Sequence, residues 1–314
     1  NVAVGQEALK LNTTANNNTA VGYQAGISNT TGTANVIVGN QALYTNQTAS
    51  NNTVVGYQAA YSHNTSGNTN LTAIGRISLF SNTTGIQNTA VGNGALYSNT
   101  TANNNSAVGE SALYYNTTGA SNSALGQGAL QANTTASNNT AVGYQAGYSN
   151  TTGTALTALG YRVLYANTTG TQNTAVGSVL DANTTGSYLT AVGNGVLASN
   201  TTGSYNNGFG ANDNARGPTL VSNTTGANNN ALVIPVGIAF ENARQFDEAL
   251  NDYNQVIKEN SLFEPALFNK CGIFIKANKI EESLSLINHL LTIDKENINY
   301  IIKKAFIYEQ VKNY

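Results

Sequence analysis

Side chains equipped for catalysis are sparse in this chain. Its two histidines, His63 and His289, lie far apart, and the only cysteine, Cys271, has no nearby histidine or second cysteine to complete a nucleophile motif or a zinc site. A lone cysteine on a helix face reads as a small core residue, and His63 reads as a solvated loop residue in a lengthened repeat. Gly92-Asn93-Gly94 and Gly126-Gln127-Gly128 recur with the repeat instead of opening a helix after a strand, which argues against a phosphate cradle. Carboxylates are too few for calcium between turns, since hard cations take charged oxygen ligands. The expectation is no catalytic residue, no metal and no cofactor.

What the chain has in quantity is Asn-Thr-Thr. The triplet begins at Asn12, Asn29, Asn82, Asn99, Asn116, Asn133, Asn150, Asn167, Asn183, Asn200 and Asn223, with Asn46-Gln47-Thr48 and Asn64-Thr65-Ser66 as variants. One reading is a corner: asparagine tolerates left-handed backbone, and amides stacked coil on coil bond into a ladder that replaces charge as polar glue. The other is modification, because every triplet is an Asn-x-Ser/Thr acceptor and exposed corners would carry sugars along one edge. An aromatic stripe follows at Tyr44, Tyr61, Phe80, Tyr97, Tyr114, Tyr148 and Tyr165. Stacked rings either stabilise the stack or offer their faces to a carbohydrate.

These residues sit in a chain of 314 residues of which only 9% are charged, well below the roughly 25% of an ordinary globular domain. The net charge of -2 excludes a basic nucleic-acid binder, and no run of about 18 apolar residues is present to span a membrane. Methionine is absent even at position 1, as expected of a processed or excerpted chain. Residues 1–230 hold four basic and four acidic side chains, against nine and eleven in 231–314. The composition shift predicts a repeat domain over 1–227, a junction over 228–236 and a helical segment over 237–314.

A glycine closing an Ala-Val-Gly-like triplet falls at 5, 22, 39, 56, 75, 92, 109, 126, 143, 160, 177, 193 and 210, with gaps of 17 except one of 19 and one of 16. The unit holds two short strand-like runs, Thr-Ala-Val and Ala-Leu-Tyr, each too short to stand alone, so neighbouring coils must stack. About thirteen coils at about 4.8 Å each predict a parallel β-solenoid, or β-roll, roughly 60 Å long. Before each glycine stand Val4, Val21, Val38, Val55, Ile74, Val91, Val108, Leu125, Val142, Leu159, Val176, Val192 and Phe209, read as a column inside the coil. One position earlier the residues are mostly alanine, so both faces of the strand are apolar or small. The second face calls for cover, and a partner chain is favoured over a second wall of the same coil.

Asn18 to Ala25 and Asn139 to Ala146, both Asn-Thr-Ala-Val-Gly-Tyr-Gln-Ala, resemble the repeats of bacterial and phage tail-fibre-like surface proteins and the Ala-Ile-Gly repeats of trimeric autotransporter adhesin heads. The resemblance covers about residues 1–215. It implies a β-roll with three chains side by side that serves as an adhesive surface or spacer. Two departures are the 17-residue unit, longer than that of adhesin heads, and a helical segment where the resemblance leads one to expect an anchor or tail-fibre chaperone.

Downstream, Phe246, Ala249, Leu250, Tyr253, Val256 and Ile257 form a helical stripe, and helices are expected over 237–243, 246–259, 264–277, 280–292 and 297–312. A 34-residue shift carries Phe246 to Ile280, Ala249 to Ser283 and Tyr253 to Ile287, and takes Phe240 through Phe274 to Tyr308. With Pro265 near a repeat start, this pattern resembles tetratricopeptide repeats. The resemblance implies a groove for a peptide or helix partner. Ser283 and Cys271 depart from the small residues expected there, and two and a half units fall short of a self-sufficient array, an expectation of truncation or assembly.

The composite expectation is a non-enzymatic rod, a surface fibre or adhesin-like protein, extracellular or at the cell surface, forming homo-oligomers or filaments. The alternative is a scaffold whose helical segment binds a client while the solenoid acts as a spacer. A third reading, ice binding by a flat array of threonines, is weakened because the Asn-Thr-Thr threonines lie in turns.

Overall fold

A computed structural model describes residues 1–211 and 264–312, with 225, 227, 230–232, 250, 253, 254, 257, 258, 261 and 262 between them. The chain divides into two compact units, Asn1–Asn212 with Leu220–Asn230, and Asp213–Thr219 with Ala231–Tyr314.

The first unit is a parallel β-solenoid of about twelve turns at 17-residue spacing. Its main sheet has fourteen strands, running in chain order from Val2–Val4 through Thr19–Val21, Thr89–Val91 and Thr140–Val142 to Asn207–Ala211 and Asn230–Leu232. Thr-Ala-Val pairs in register with Thr-Ala-Val: Thr140 meets Thr157, Ala141 meets Ala158 and Val142 meets Leu159. The repeat thus supplies every strand with a neighbour of its own composition, and no three-residue strand has to survive alone.

The second expected strand does not form. Ala-Leu-Tyr is a run of turns, with Leu96 at φ 52° and Leu113 at φ 52°. The turns close on themselves and stack as well: the Asn99 amide donates to the Leu96 carbonyl at 3.1 Å, and the Leu96 amide to the Ala112 carbonyl of the next coil at 3.0 Å. A leucine in left-handed backbone costs roughly 1–2 kcal/mol, whereas burying its side chain stabilises by about 1.5–3 kcal/mol. Leu43, Leu79, Leu96, Leu113, Leu130, Leu164, Leu180 and Leu197 all adopt positive φ and are fully buried, so burial wins.

These leucines decide which face of the strand points inward, and the expected spine is reversed. Ala20, Ala73, Ala90, Ala107, Ala141, Ala175 and Ala191 are buried against them, whereas Val4, Val21, Ile74, Val108, Leu125, Val142 and Phe209 point outward. Alanine is the usual inner residue because close-packed interiors resist added methylenes, although Ile37 and Val54 also stand at this position, fully buried. Where the leucine position is Gly26, the strand position carries Ile37, whose Cδ1 would lie 2.6 Å from a Cβ at Gly26.

Glycine before the turn is enforced by the coil spacing. Gly109 has φ 133°, and a Cβ there would lie 2.5 Å from the Gly126 carbonyl oxygen. That oxygen is backbone held by its own coil and cannot move aside.

In the second unit α1 (Glu264–Lys276), α2 (Ile280–Ile293) and α3 (Ile298–Lys312) fall where three of the expected helices were placed. Leu267, Cys271, Ile287, Leu290, Tyr300 and Ile307 form their core. Cys271 is the small core residue it was read as; burial pushes its thiol pKa up, and its Sγ reaches the Ser283 carbonyl at 3.4 Å. His289 is exposed. The helices expected over 237–243 and 246–259 lie largely outside the described residues, with 250, 253, 254, 257 and 258 helical.

We predict that Gly109→Ala lowers solenoid stability by roughly 3 kcal/mol or more, while Thr140→Ala on the outer face stays within about 0.5 kcal/mol. Denaturant unfolding followed by circular dichroism measures both.

Candidate functional site

Three features run the length of the solenoid: an amide edge, an aromatic stripe and the outer face of the sheet. The amide edge explains the asparagines. From Asn99 to Asn200, each Asn-Thr-Thr asparagine turns into the coil and donates through Nδ2 to the Oδ1 of its counterpart one coil earlier: Asn99 to Asn82 at 2.7 Å, Asn116 to Asn99 at 2.9 Å, Asn133 to Asn116 at 2.8 Å and Asn150 to Asn133 at 3.0 Å. The second Nδ2 proton closes the corner, as from Asn116 to the Gly119 carbonyl at 2.9 Å. The first threonine of the triplet extends the pattern, Thr100 Oγ1 donating to the Thr117 carbonyl at 3.1 Å.

Ten of these corners therefore lack the exposed acceptor that glycosylation requires. Asn29, Asn46, Asn82, Asn99, Asn116, Asn133, Asn150, Asn167, Asn183 and Asn200 are buried. A glycan replaces one proton of Nδ2, and in all of these but Asn29 both are committed to bonds inside the protein. Asn12, in the first coil, is half-buried; Asn64 is exposed; Asn223 lies outside the described residues.

A second ladder, which sequence reading missed, uses the asparagine before Thr-Ala-Val. Asn105 Oδ1 accepts from the Asn122 backbone amide at 2.9 Å, and Asn122 Nδ2 donates to the Ala136 carbonyl at 2.9 Å. Buried Leu71, Leu156 and Leu189 take this position in three coils, so the second ladder tolerates interruption. Its signal was the asparagine four residues before most of the repeat glycines.

The first ladder is interrupted once within its length, by His63. Counting seven residues from Gly56 places His63, not Asn64, on the rung, and the structure buries it completely instead of leaving it in a solvated loop. Asn82 Nδ2 lies 2.9 Å from His63 Nδ1, and burial pushes the imidazole pKa down to about 4. The two extra residues of this coil fall after His63, where Ser66–Asn68 pairs with Thr48–Ser50 in a small second sheet.

The structure brings the aromatic stripe together in two runs. Tyr44, Tyr61, Phe80, Tyr97 and Tyr114 stack at centroid distances of 4.8, 5.3, 5.3 and 4.8 Å, and Tyr148 stacks on Tyr165 at 5.2 Å. Gln131 separates the runs. Tyr115 sets its ring edge-on to Tyr114, and burial, then the phenols of Tyr97 and Tyr115, push the Tyr114 hydroxyl pKa up. The Arg162 guanidinium covers Tyr165 at 4.0 Å. Carbohydrate stacking needs a free ring face, and Tyr61, Phe80 and Tyr97 have both faces taken by neighbouring rings. Further stacks, Tyr144 on Tyr161 and Tyr188 on Tyr205, lie at other phases of the repeat and were missed because only one phase was followed.

The outer face of the sheet is the largest regular surface. Its first column is Thr19, Thr53, Thr72, Thr89, Ser106, Ser123, Thr140, Thr157, Thr174 and Thr190, with Val36 among them. The second is the aliphatic series, in which Val21, Ile74, Val108 and Val142 each expose 37% of their surface and Leu125 exposes 50%. In-register pairing repeats both columns at about 4.8 Å. An exposed aliphatic row that repeats along a sheet is the kind of apolar patch that marks an interaction surface.

No protein-family model, curated protein or solved structure matches this chain. Among the described residues no His, Cys, Asp and Glu cluster is arranged to hold a metal, and no helix is long and apolar enough to cross a membrane.

The two ladders predict different costs for one substitution. Asn116→Leu strands the Asn99 Oδ1, the Asn133 Nδ2 and the Gly119 carbonyl, for a loss of roughly 2–4 kcal/mol. Asn122→Leu follows the precedent of Leu71, Leu156 and Leu189 and costs about 1 kcal/mol or less. Urea unfolding of the two variants side by side gives the comparison.

Proposed function

We propose that the chain is a non-enzymatic structural rod of a surface fibre or adhesin-like protein, outside the cell or on its surface, which packs side by side with further copies through the outer face of its sheet. The observation that carries this reading is the aliphatic column from Val21 to Phe209, turned outward along the sheet. A covering surface must repeat at the coil spacing over the whole length, and a second copy carries that spacing by construction. Charge offers no competing mode of recognition: the charged side chains of the described solenoid are Glu7, Lys10, Arg76, Glu110, Arg162 and Asp181. Association of copies buries several hundred Å² of aliphatic surface per chain, on the order of a standard interface. The resemblance to adhesin-head and tail-fibre-like repeats points the same way.

A specific observation favours the scaffold reading for the second unit. The terminal helix α3 exposes Ile298, Ile301, Ile302, Phe306 and Tyr308 on its surface. Such a stripe suits a peptide or helix partner of a tetratricopeptide-like segment, with the solenoid as spacer. Ice binding is the weaker reading, since Ile74, Leu125, Leu159 and Phe209 break the evenness of the outer face. The same unevenness is tolerated between protein surfaces that interdigitate.

Sedimentation equilibrium of the full chain tests the proposal. The expected result is a discrete oligomer that Val91→Asp, Val108→Asp and Val142→Asp together convert to a monomer with an unchanged circular dichroism spectrum. A wild-type monomer at tens of micromolar would contradict it.

A further inference from the structure

His63 stands where ten other described coils place a buried, ladder-forming asparagine, in the one coil of 19 residues. The polarity of the ladder fixes its protonation. Asn99 donates to Asn82 Oδ1 at 2.7 Å, so Asn82 must present its Nδ2 to the preceding rung; that Nδ2 gives one proton to the Gly85 carbonyl at 2.9 Å and the other to His63 Nδ1. Nδ1 is therefore an acceptor, and neutral His63 carries its proton on Nε2. That Nε2 is buried, and no described protein group bonds it.

An ordinary histidine that gains a proton can rotate or turn its partner. Here a proton on Nδ1 points at the N–H of Asn82, and Asn82 can turn only if Asn99, Asn116, Asn133 and the rungs beyond reverse together. On its other side, no described hydrogen bond joins the imidazole to the Asn46 amide, which donates to Asn29 at 2.9 Å and to the Ala49 carbonyl at 3.2 Å. The imidazole is held from one side only, although the His63 carbonyl accepts from Thr45 Oγ1 of the preceding coil at 3.2 Å. The titratable and charged side chains on this coil and the two against it are Tyr44, Tyr57, Tyr61 and Arg76. None of them perturbs the imidazole, whose one cause of shift is burial. No carboxylate is present to receive an imidazolium.

We propose that the His63 coil is an acid-labile seam at which protonation opens the rod, separating the coils before it from those after it. The device is a regulatory one built into the stack: the regular asparagine rungs on either side carry no titrating group, so opening is confined to this place.

The direction in pH follows from linkage. The folded pKa of about 4 lies below the ordinary 6.5, so the closed coil favours the neutral imidazole. Its stability is fully present above about pH 6.5, falls as pH drops through the window, and levels off below about pH 4. Between pH 7.5 and pH 5 the opening equilibrium of this coil should rise about 30-fold.

Hydrogen exchange of the full chain read by mass spectrometry, corrected for the intrinsic pH dependence of exchange, measures that equilibrium. Peptides covering residues 56–88 should lose about 30-fold in protection between pH 7.5 and pH 5, and peptides covering 116–167 should lose none. In His63→Asn, which restores the rung, the loss should vanish. Equal protection at both pH values in the wild type, a loss spread over the whole solenoid, or a loss that persists in His63→Asn would overturn the seam. If that variant does not fold, an NMR titration of the wild-type imidazole decides: a midpoint well below 6.5 supports the proposal, and one at or above 6.5 overturns it.

Discussion

A buried amide has to find its partners inside the protein, and in this chain the partner is the same amide one repeat away. Asn116 satisfies Asn133 and is satisfied by Asn99, so each coil can sit at one height and in one register above the last. A slip of one residue would strand the amides of every rung at once, at roughly 1–3 kcal/mol for each buried group left unsatisfied. Strand pairing, the contact between successive repeat glycines and the stacking of Tyr44 on Tyr61 all inherit that register. Irregular coils confirm where the constraint lies. The 16-residue coil loses its residue between Gly177 and Asn183, and the 19-residue coil gains two between His63 and Gly75, so both keep the rung on the ladder.

Register alone does not say which side of the strand is inside. That is settled by the turn opposite, where leucines accept left-handed backbone in exchange for burial. Once Leu96 and its equivalents fill the coil, the strand mostly supplies a methyl group, and alanine takes the inner position in all but the coils of Ile37 and Val54. The larger aliphatic residues are displaced outward. A core built in this way is narrow and nearly free of choice, and its by-product is the apolar outer column on which the proposed association of copies rests.

The period, the position of Thr-Ala-Val, the asparagine ladder, the stacked rings and three helices were legible in the sequence because each is a repeating local signal. The inward face was not, because Thr-Ala-Val offers small or apolar residues at two adjacent positions and a period of two cannot rank them. Ala-Leu-Tyr read as a strand because leucine and tyrosine say nothing of a positive φ that stacking imposes. His63 was not legible as a rung because the Asn64-Thr65-Ser66 triplet lies one residue past it; counting from Gly56 puts the imidazole in phase. Ten of the sequons bury their acceptor for a related reason: a motif names an acceptor atom and is silent on whether that atom faces water.

Electron–electron resonance between nitroxide pairs on the exposed position after the repeat glycine tests the stacking most directly. Labels at Asn93 and Tyr161 span four coils and should sit about 19 Å apart; labels at Asn40 and Tyr161 span seven and should sit about 34 Å apart. The account predicts narrow distributions, in samples diluted with unlabelled chain, whose centres grow linearly with the number of coils. Broad distributions, or distances that do not scale with coil number, would contradict it.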